Sequence, residues 1–138
     1  MSNNTKLFIT MLRNIRSKGM NRDMIGHGIH RTFPPITAED VKAYVEATRD
    51  DPGRYAGKNP PVPPMTFSRI LYPMCHYFLT HPKLGMNLLK LVHGEQSVRW
   101  IRPLHVGDVC DVHMSIAEIA DTQAGEIIRF AIKGSVGG

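Results

Sequence analysis

The sequence holds only two cysteines and one tryptophan, it contains no long apolar run, and its first 22 residues include no acid. Each scarcity excludes something. Without eighteen or more consecutive apolar residues no segment crosses a membrane, and the start lacks the apolar core of a signal peptide. Cys75 and Cys110 stand in apolar surroundings, without the close Cys or His spacing of a zinc site, so they read as buried free thiols of a reducing compartment. His27 and His30 are three apart but have no third ligand near them in sequence, which leaves no metal site.

The missing acid also places the net charge. Lys6, Arg13, Arg16, Lys18 and Arg22 carry the whole formal excess of +5, and beyond them twelve basic residues face twelve acidic ones. A neutral body, with no zinc-finger spacing and no aromatic RNA-binding strand, argues against nucleic acid as a partner. With 138 residues, 42% of them apolar, the chain has room for one core. The expected layout is a basic N-terminal extension, residues 1–22, and a single domain, residues 23–138, in a soluble cytoplasmic protein. Organellar import directed by the basic N-terminus is the alternative.

Periodicity then sets the elements. Leu7, Phe8, Met11, Leu12 and Ile15 recur at helical spacing over residues 5–18, a short basic amphipathic helix read as docking on a neighbour or fraying rather than lying on a membrane surface. Residues 29–36 suit an edge strand, because Pro34 and Pro35 forbid a central one. Thr37 caps a helix with Asp40 at the capping-box position, and the turn Asp50-Asp51-Pro52-Gly53 ends it. Pro60 to Pro64 form a stiff extended passage. Phe67, Ile70, Leu71, Met74, Cys75, Phe78 and Leu79 then define the most apolar helix, which Pro73 should kink or split. An apolar stretch over residues 84–92 leads into a strand through Trp100 that stops at Arg102-Pro103. That strand should pair with one over residues 109–116, where Cys110, Val112, Met114 and Ile116 alternate with polar residues, and a strand with Ile128, Phe130 and Ile132 follows. One long apolar helix and an antiparallel meander make an α+β fold, most economically with the sheet wrapped around the central helix.

The strings Leu91-Val92-His93-Gly94-Glu95-Gln96, Arg102-Pro103-Leu104 and Gly107-Asp108 resemble the first half of the eukaryotic (R)-specific enoyl-CoA hydratases and the MaoC-like dehydratases, over roughly residues 24–133. The resemblance implies a hot-dog fold. It also implies a further sheet strand after Lys133, so with the last residue at Gly138 the sheet is expected to be completed by another chain or to belong to a truncated one.

Hydration of an enoyl thioester needs a base for water, an acid for the α-carbon and a donor to the thioester carbonyl. The resembling enzymes carry these in an Asp-x-Asn-Pro-x-His segment after the first helix, where this chain reads Thr48-Arg49-Asp50-Asp51-Pro52-Gly53-Arg54-Tyr55. One register puts Arg49 and Arg54 at the Asp and His, the other puts Asp50 and Tyr55 there, and neither yields the pair. Weak catalytic candidates remain in Asp50, Tyr55 and His76, the last placed opposite the apolar stripe of its helix. By the same resemblance His93 and Glu95 are structural, whereas Asp108 reads as the cap of a turn.

The resemblance thus implies a substrate-binding, non-catalytic half of a hydratase or dehydratase, paired as a homodimer or with a catalytic hot-dog subunit. No cofactor is implied, because the coenzyme A or acyl-carrier-protein thioester is itself the substrate. The tail pocket is expected from Pro64, Met65, Thr66, Phe67, Ile70, Leu71 and Met74. A self-sufficient hydratase and a non-enzymatic acyl-CoA-binding module are the competing readings.

Overall fold

A computed structural model describes residues 3–137, so Met1, Ser2 and Gly138 lie outside the described residues. Three helices and three strands follow in the order α1 (Asn3–Asn14), β1 (Gly28–Thr32), α2 (Ala38–Thr48), α3 (Phe67–Leu79), β2 (Cys110–Thr122) and β3 (Gly125–Val136), with short 3-10 turns between them. The sheet runs β1-β2-β3, and its hydrogen bonds rise along β1 as they fall along β2: Gly26 N–H donates to the Ile116 carbonyl, Phe33 N–H to that of Cys110. This antiparallel sheet with three helices is an α+β arrangement of the hot-dog type.

The capping reading of α2 holds in full. Thr37 Oγ1 accepts from Asp40 N–H, and the Asp40 carboxylate accepts from Thr37 N–H. The edge strand expected over residues 29–36 is β1, ended early by its two prolines, and α3 spans the apolar periodicity over Phe67–Leu79. It passes Pro73 as one helix and is not split there. In β2 the buried residues alternate from Cys110 to Ile116, then slip by one to Ile119. A two-residue turn, with Gly125 at φ 133°, leads into β3.

Compact contacts divide the chain into two units. One comprises Met1–Ile29, Tyr72–Gln96 and His113–Ile132, and its buried side chains include Met24, Met74, Phe78, Leu84, Met114 and Ile116. In it the Phe78 ring of α3 sits 5.2 Å from the Phe130 ring of β3. The basic segment contributes here too: Asn14 is buried and its Nδ2 donates to the Met86 carbonyl at 3.0 Å. Arg22 pairs with Asp121 at 2.8 Å, and Arg129 pairs with Glu118 across β2 and β3. The other unit comprises His30–Leu71, Ser97–Val112 and Lys133–Gly138, with Ile36, Val41, Val45, Val62, Leu71 and Val112 buried.

Two expectations fail. Residues 91–100 form no strand, and every one is exposed. A strand has two edges, and both of β2 are occupied: one by β1, the other by the tight hairpin partner β3, so the anticipated pairing with residues 97–102 has no edge to use. His76, assigned to the side opposite the apolar stripe, is buried at 7% exposure, because α3 is covered over more of its circumference than one stripe.

Candidate functional site

The loop after α2 is built by local hydrogen bonds. Arg49 ends the helix at φ 55°, and Asp51 caps the following turn by accepting from Gly53 N–H. The turn swings Tyr55 back so that its hydroxyl donates to Asp50 Oδ2 at 2.8 Å. Asp50 Oδ1 also accepts from Asp51 N–H at 2.8 Å, with the Arg54 guanidinium at 3.5 Å. The two weak candidates are therefore brought together, against each other. The Tyr55 hydrogen bond above all, then Asp51 N–H, hold the Asp50 carboxyl below its ordinary value, while the same bond raises the Tyr55 phenol. Asp50 is a weaker base than a free carboxylate and Tyr55 a weaker acid than a free phenol. Neither approaches neutrality, where a general acid or base works best.

Tyr55 also stands at the wall of a cleft of about 350 Å³. Pro61, Val62 and Pro64 line one part and Trp100 to Leu104 another. The walls are joined by backbone: Val62 N–H donates to the Leu104 carbonyl at 2.7 Å, and Pro61 bridges to His105. Asp108 anchors the second wall by accepting from His105 N–H and from the Arg102 guanidinium, with Arg102 Nη1 at 3.0 Å, which makes it a turn cap as expected. The Arg102 charge is thereby paired, and the rest of the lining is mostly apolar.

Of the expected tail-pocket residues, only Pro64 lines this cleft. Phe67 touches its wall, edge-on to Trp100 with ring centroids 5.4 Å apart. Met65 is exposed, whereas Leu71 is buried and Met74 is wholly so, part of the core. Thr66 is also buried, and its hydroxyl has no hydrogen-bond partner. The residues that sequence reasoning missed are Trp100 and Ile101, read there as the end of a strand, and Leu104, which fell in the turn after it. Their signal was Pro103, which bends the chain toward the proline passage.

Away from that cleft, His27 Nε2 and the Tyr77 hydroxyl share a hydrogen bond of 2.9 Å, and the His27 and His81 rings lie 5.2 Å apart. Burial first, then His27 and nearby cations, lower the His81 imidazole. Instead of joining His27 at a metal, His30 pairs with Asp111 at 2.9 Å. His76 sits beside Tyr72, with ring centroids 6.2 Å apart. Burial raises both thiols, Cys75 and Cys110, which makes them inert.

Comparison with known proteins agrees with this architecture. The family model described as "FAS1-like, dehydratase domain region" matches residues 23–133. A UPF0336 protein of Cutibacterium acnes is 32% identical over 108 residues, 74% of this chain and 75% of that protein. UPF0336 proteins of Thermobifida fusca and Streptomyces griseus are 28% and 27% identical, over 79% and 78% of this chain and 78% and 80% of their own. With an α+β hot-dog arrangement and a family match over most of its length, the chain belongs to the FAS1-like dehydratase-domain family.

Proposed function

We propose that this chain is the substrate-binding, non-catalytic half of an (R)-specific enoyl-CoA hydratase or 3-hydroxyacyl-thioester dehydratase. It holds the acyl tail of a coenzyme A or acyl-carrier-protein thioester while a catalytic hot-dog subunit supplies the acid and base. The observation that carries this reading is the Asp50–Tyr55 contact. In the loop where the resembling enzymes keep Asp and His, this chain ties a carboxylate to a phenol and moves both away from neutrality. The adjoining cleft, at about 350 Å³, falls within the ~300–1,000 Å³ of small-molecule sites. Assembly is supported by β3, an edge strand of 12 residues with no strand beyond it among the described residues.

Two assays test the reading. The chain alone should show only trace hydration of an enoyl-CoA, and turnover of about one per second or more, abolished by Asp50→Asn, would sink it. In calorimetry with acyl-CoAs of increasing length, each methylene is worth about 0.8 kcal/mol, so four added carbons should tighten binding by roughly 3 kcal/mol while the cleft lasts. Ile101→Trp should blunt that dependence without a folding penalty, because Ile101 lines the cleft yet is 97% exposed.

A further inference from the structure

The helix α1 turns only part of its apolar side inward, with Leu7 and Met11 half-buried. Its buried side chains are polar, Thr10 at 3% exposure and Asn14 at 6%, whereas Phe8, Ile9 and Leu12 are exposed at 59%, 45% and 58%. Ile15, just past its end, is exposed at 50%. Phe8 and Leu12 are four apart and so share one side of the helix, with Ile9 next to them. Lys6, Arg13, Arg16 and Lys18 accompany this outward face, and no carboxylate among the described residues pairs with any of them. On its flank a cleft of about 300 Å³ lies between Lys6 and Arg13 on one side and Tyr77, Thr80 and His81 on the other, with no acid in its lining. Lys83 N–H donates to His81 Nδ1, which leaves the proton of the neutral ring on Nε2 as a donor.

We propose that the outward face of α1 docks on an anionic phospholipid surface, with Phe8, Leu12 and Ile9 entering the headgroup boundary and the flanking cleft taking a lipid phosphate. An amphipathic helix with aromatic and aliphatic residues on one side and cations on the other lies in a membrane interface. Size decides against a protein. A helix of 12 residues is about 18 Å long and about 10 Å wide, so it presents about 180 Å², against the ~800 Å² per partner of a stable protein interface. A second copy would also set Lys6 and Arg13 against their own counterparts, whereas a membrane needs only a shallow apolar contact and charge attraction. The surface lies in residues 3–15, before the family match begins at residue 23.

The test is co-sedimentation of the full chain with vesicles at low salt. Binding to phosphatidylglycerol vesicles should exceed binding to phosphatidylcholine by about tenfold or more and should weaken with salt. Phe8→Ser with Leu12→Ser, and separately Lys6→Gln with Arg13→Gln, should each lose about tenfold or more, while Lys42→Gln with Lys58→Gln, the same charge change elsewhere, should stay within about twofold. Because the changed residues are exposed, each variant should melt like the wild type, and Leu12→Ser alone carries the test if the double variant does not fold. Several results overturn the proposal: equal binding to both vesicles or to neither, wild-type binding by the Phe8/Leu12 variant, complete displacement by inorganic pyrophosphate, which would make this a site for soluble phosphates, or a dimer that the Phe8/Leu12 variant dissociates.

Discussion

The helices α1 and α3 differ by one residue in length, and both are amphipathic, yet they use their apolar sides in opposite ways. In α3 the apolar stripe is the core, with Met74 and Phe78 entirely buried. In α1 two polar side chains, Thr10 and Asn14, are buried and Asn14 is held by a hydrogen bond to the Met86 carbonyl, while Phe8 and Leu12 face solvent. The difference shows what holds each helix. Burying a large apolar side chain is worth roughly 1.5–3 kcal/mol, whereas an ordinary hydrogen bond contributes about 0.5–1.5 kcal/mol net. The α3 helix is therefore fixed by packing, and α1 is fastened by a polar contact and two half-buried side chains that leave Phe8, Ile9 and Leu12 available.

Paired substitutions break the comparison most directly. Phe78→Ala should cost about 3–5 kcal/mol in urea unfolding, because it opens a cavity in a packed core. Leu12→Ala should change stability by no more than about 0.5 kcal/mol, as for any exposed side chain. Equal losses would mean that α1 is held by its apolar side after all. Next in size is Asn14→Leu, which keeps the bulk but removes the bond to the Met86 carbonyl and leaves that oxygen unpaired, at about 1–3 kcal/mol. If the variant is as stable as the wild type, the polar fastening is dispensable.

The same contrast explains what was legible in the sequence. The α3 helix was, because an apolar stripe covering a whole helix over Phe67–Leu79 has one economical fate, burial. The α2 cap was, because Thr37 and Asp40 act through bonds to residues three apart, a matter of local geometry. The strand expected through Trp100 was not, since pairing is settled by which strands reach the edges of β2 first, and the Gly125 hairpin is the nearest competitor. The candidate site was half legible. The loss of the Asp and His pair at Asp50 and Tyr55 could be read from residue types, but not their mutual bond, which depends on the turn that Asp51 caps. The cleft walls come from segments some forty residues apart, joined by the Val62–Leu104 hydrogen bond, and no local pattern announces that. Periodicity also gave α1 its amphipathic face without saying which way it points.

The third helix sharpens the contrast with the smallest expected effect. Unlike either of these, α2 is started by a carboxylate. Asp40 Oδ2 accepts from Thr37 N–H at 3.0 Å and from Thr37 Oγ1 at 2.8 Å, and Arg69 Nη1 lies 2.6 Å from Oδ1. These Thr37 bonds first, with Arg69 adding to them, hold the Asp40 carboxyl below its ordinary value. The charge also sits in the first turn, where the helix dipole favours it. A folded-state value below the unfolded one, about 3.9, means stability that is fully present above about pH 4 and lost as the pH falls through the lower folded value. Asp40→Asn keeps an oxygen to accept from Thr37 N–H but loses the charge, so it should cost about 0.5–1 kcal/mol at neutral pH. As the pH falls through that lower folded value and the wild-type carboxyl is protonated as well, the two proteins should converge. Urea unfolding across that range measures the difference, and a gap between wild type and Asp40→Asn that stays constant down to pH 2 would show that the oxygen geometry, not the charge, starts the helix.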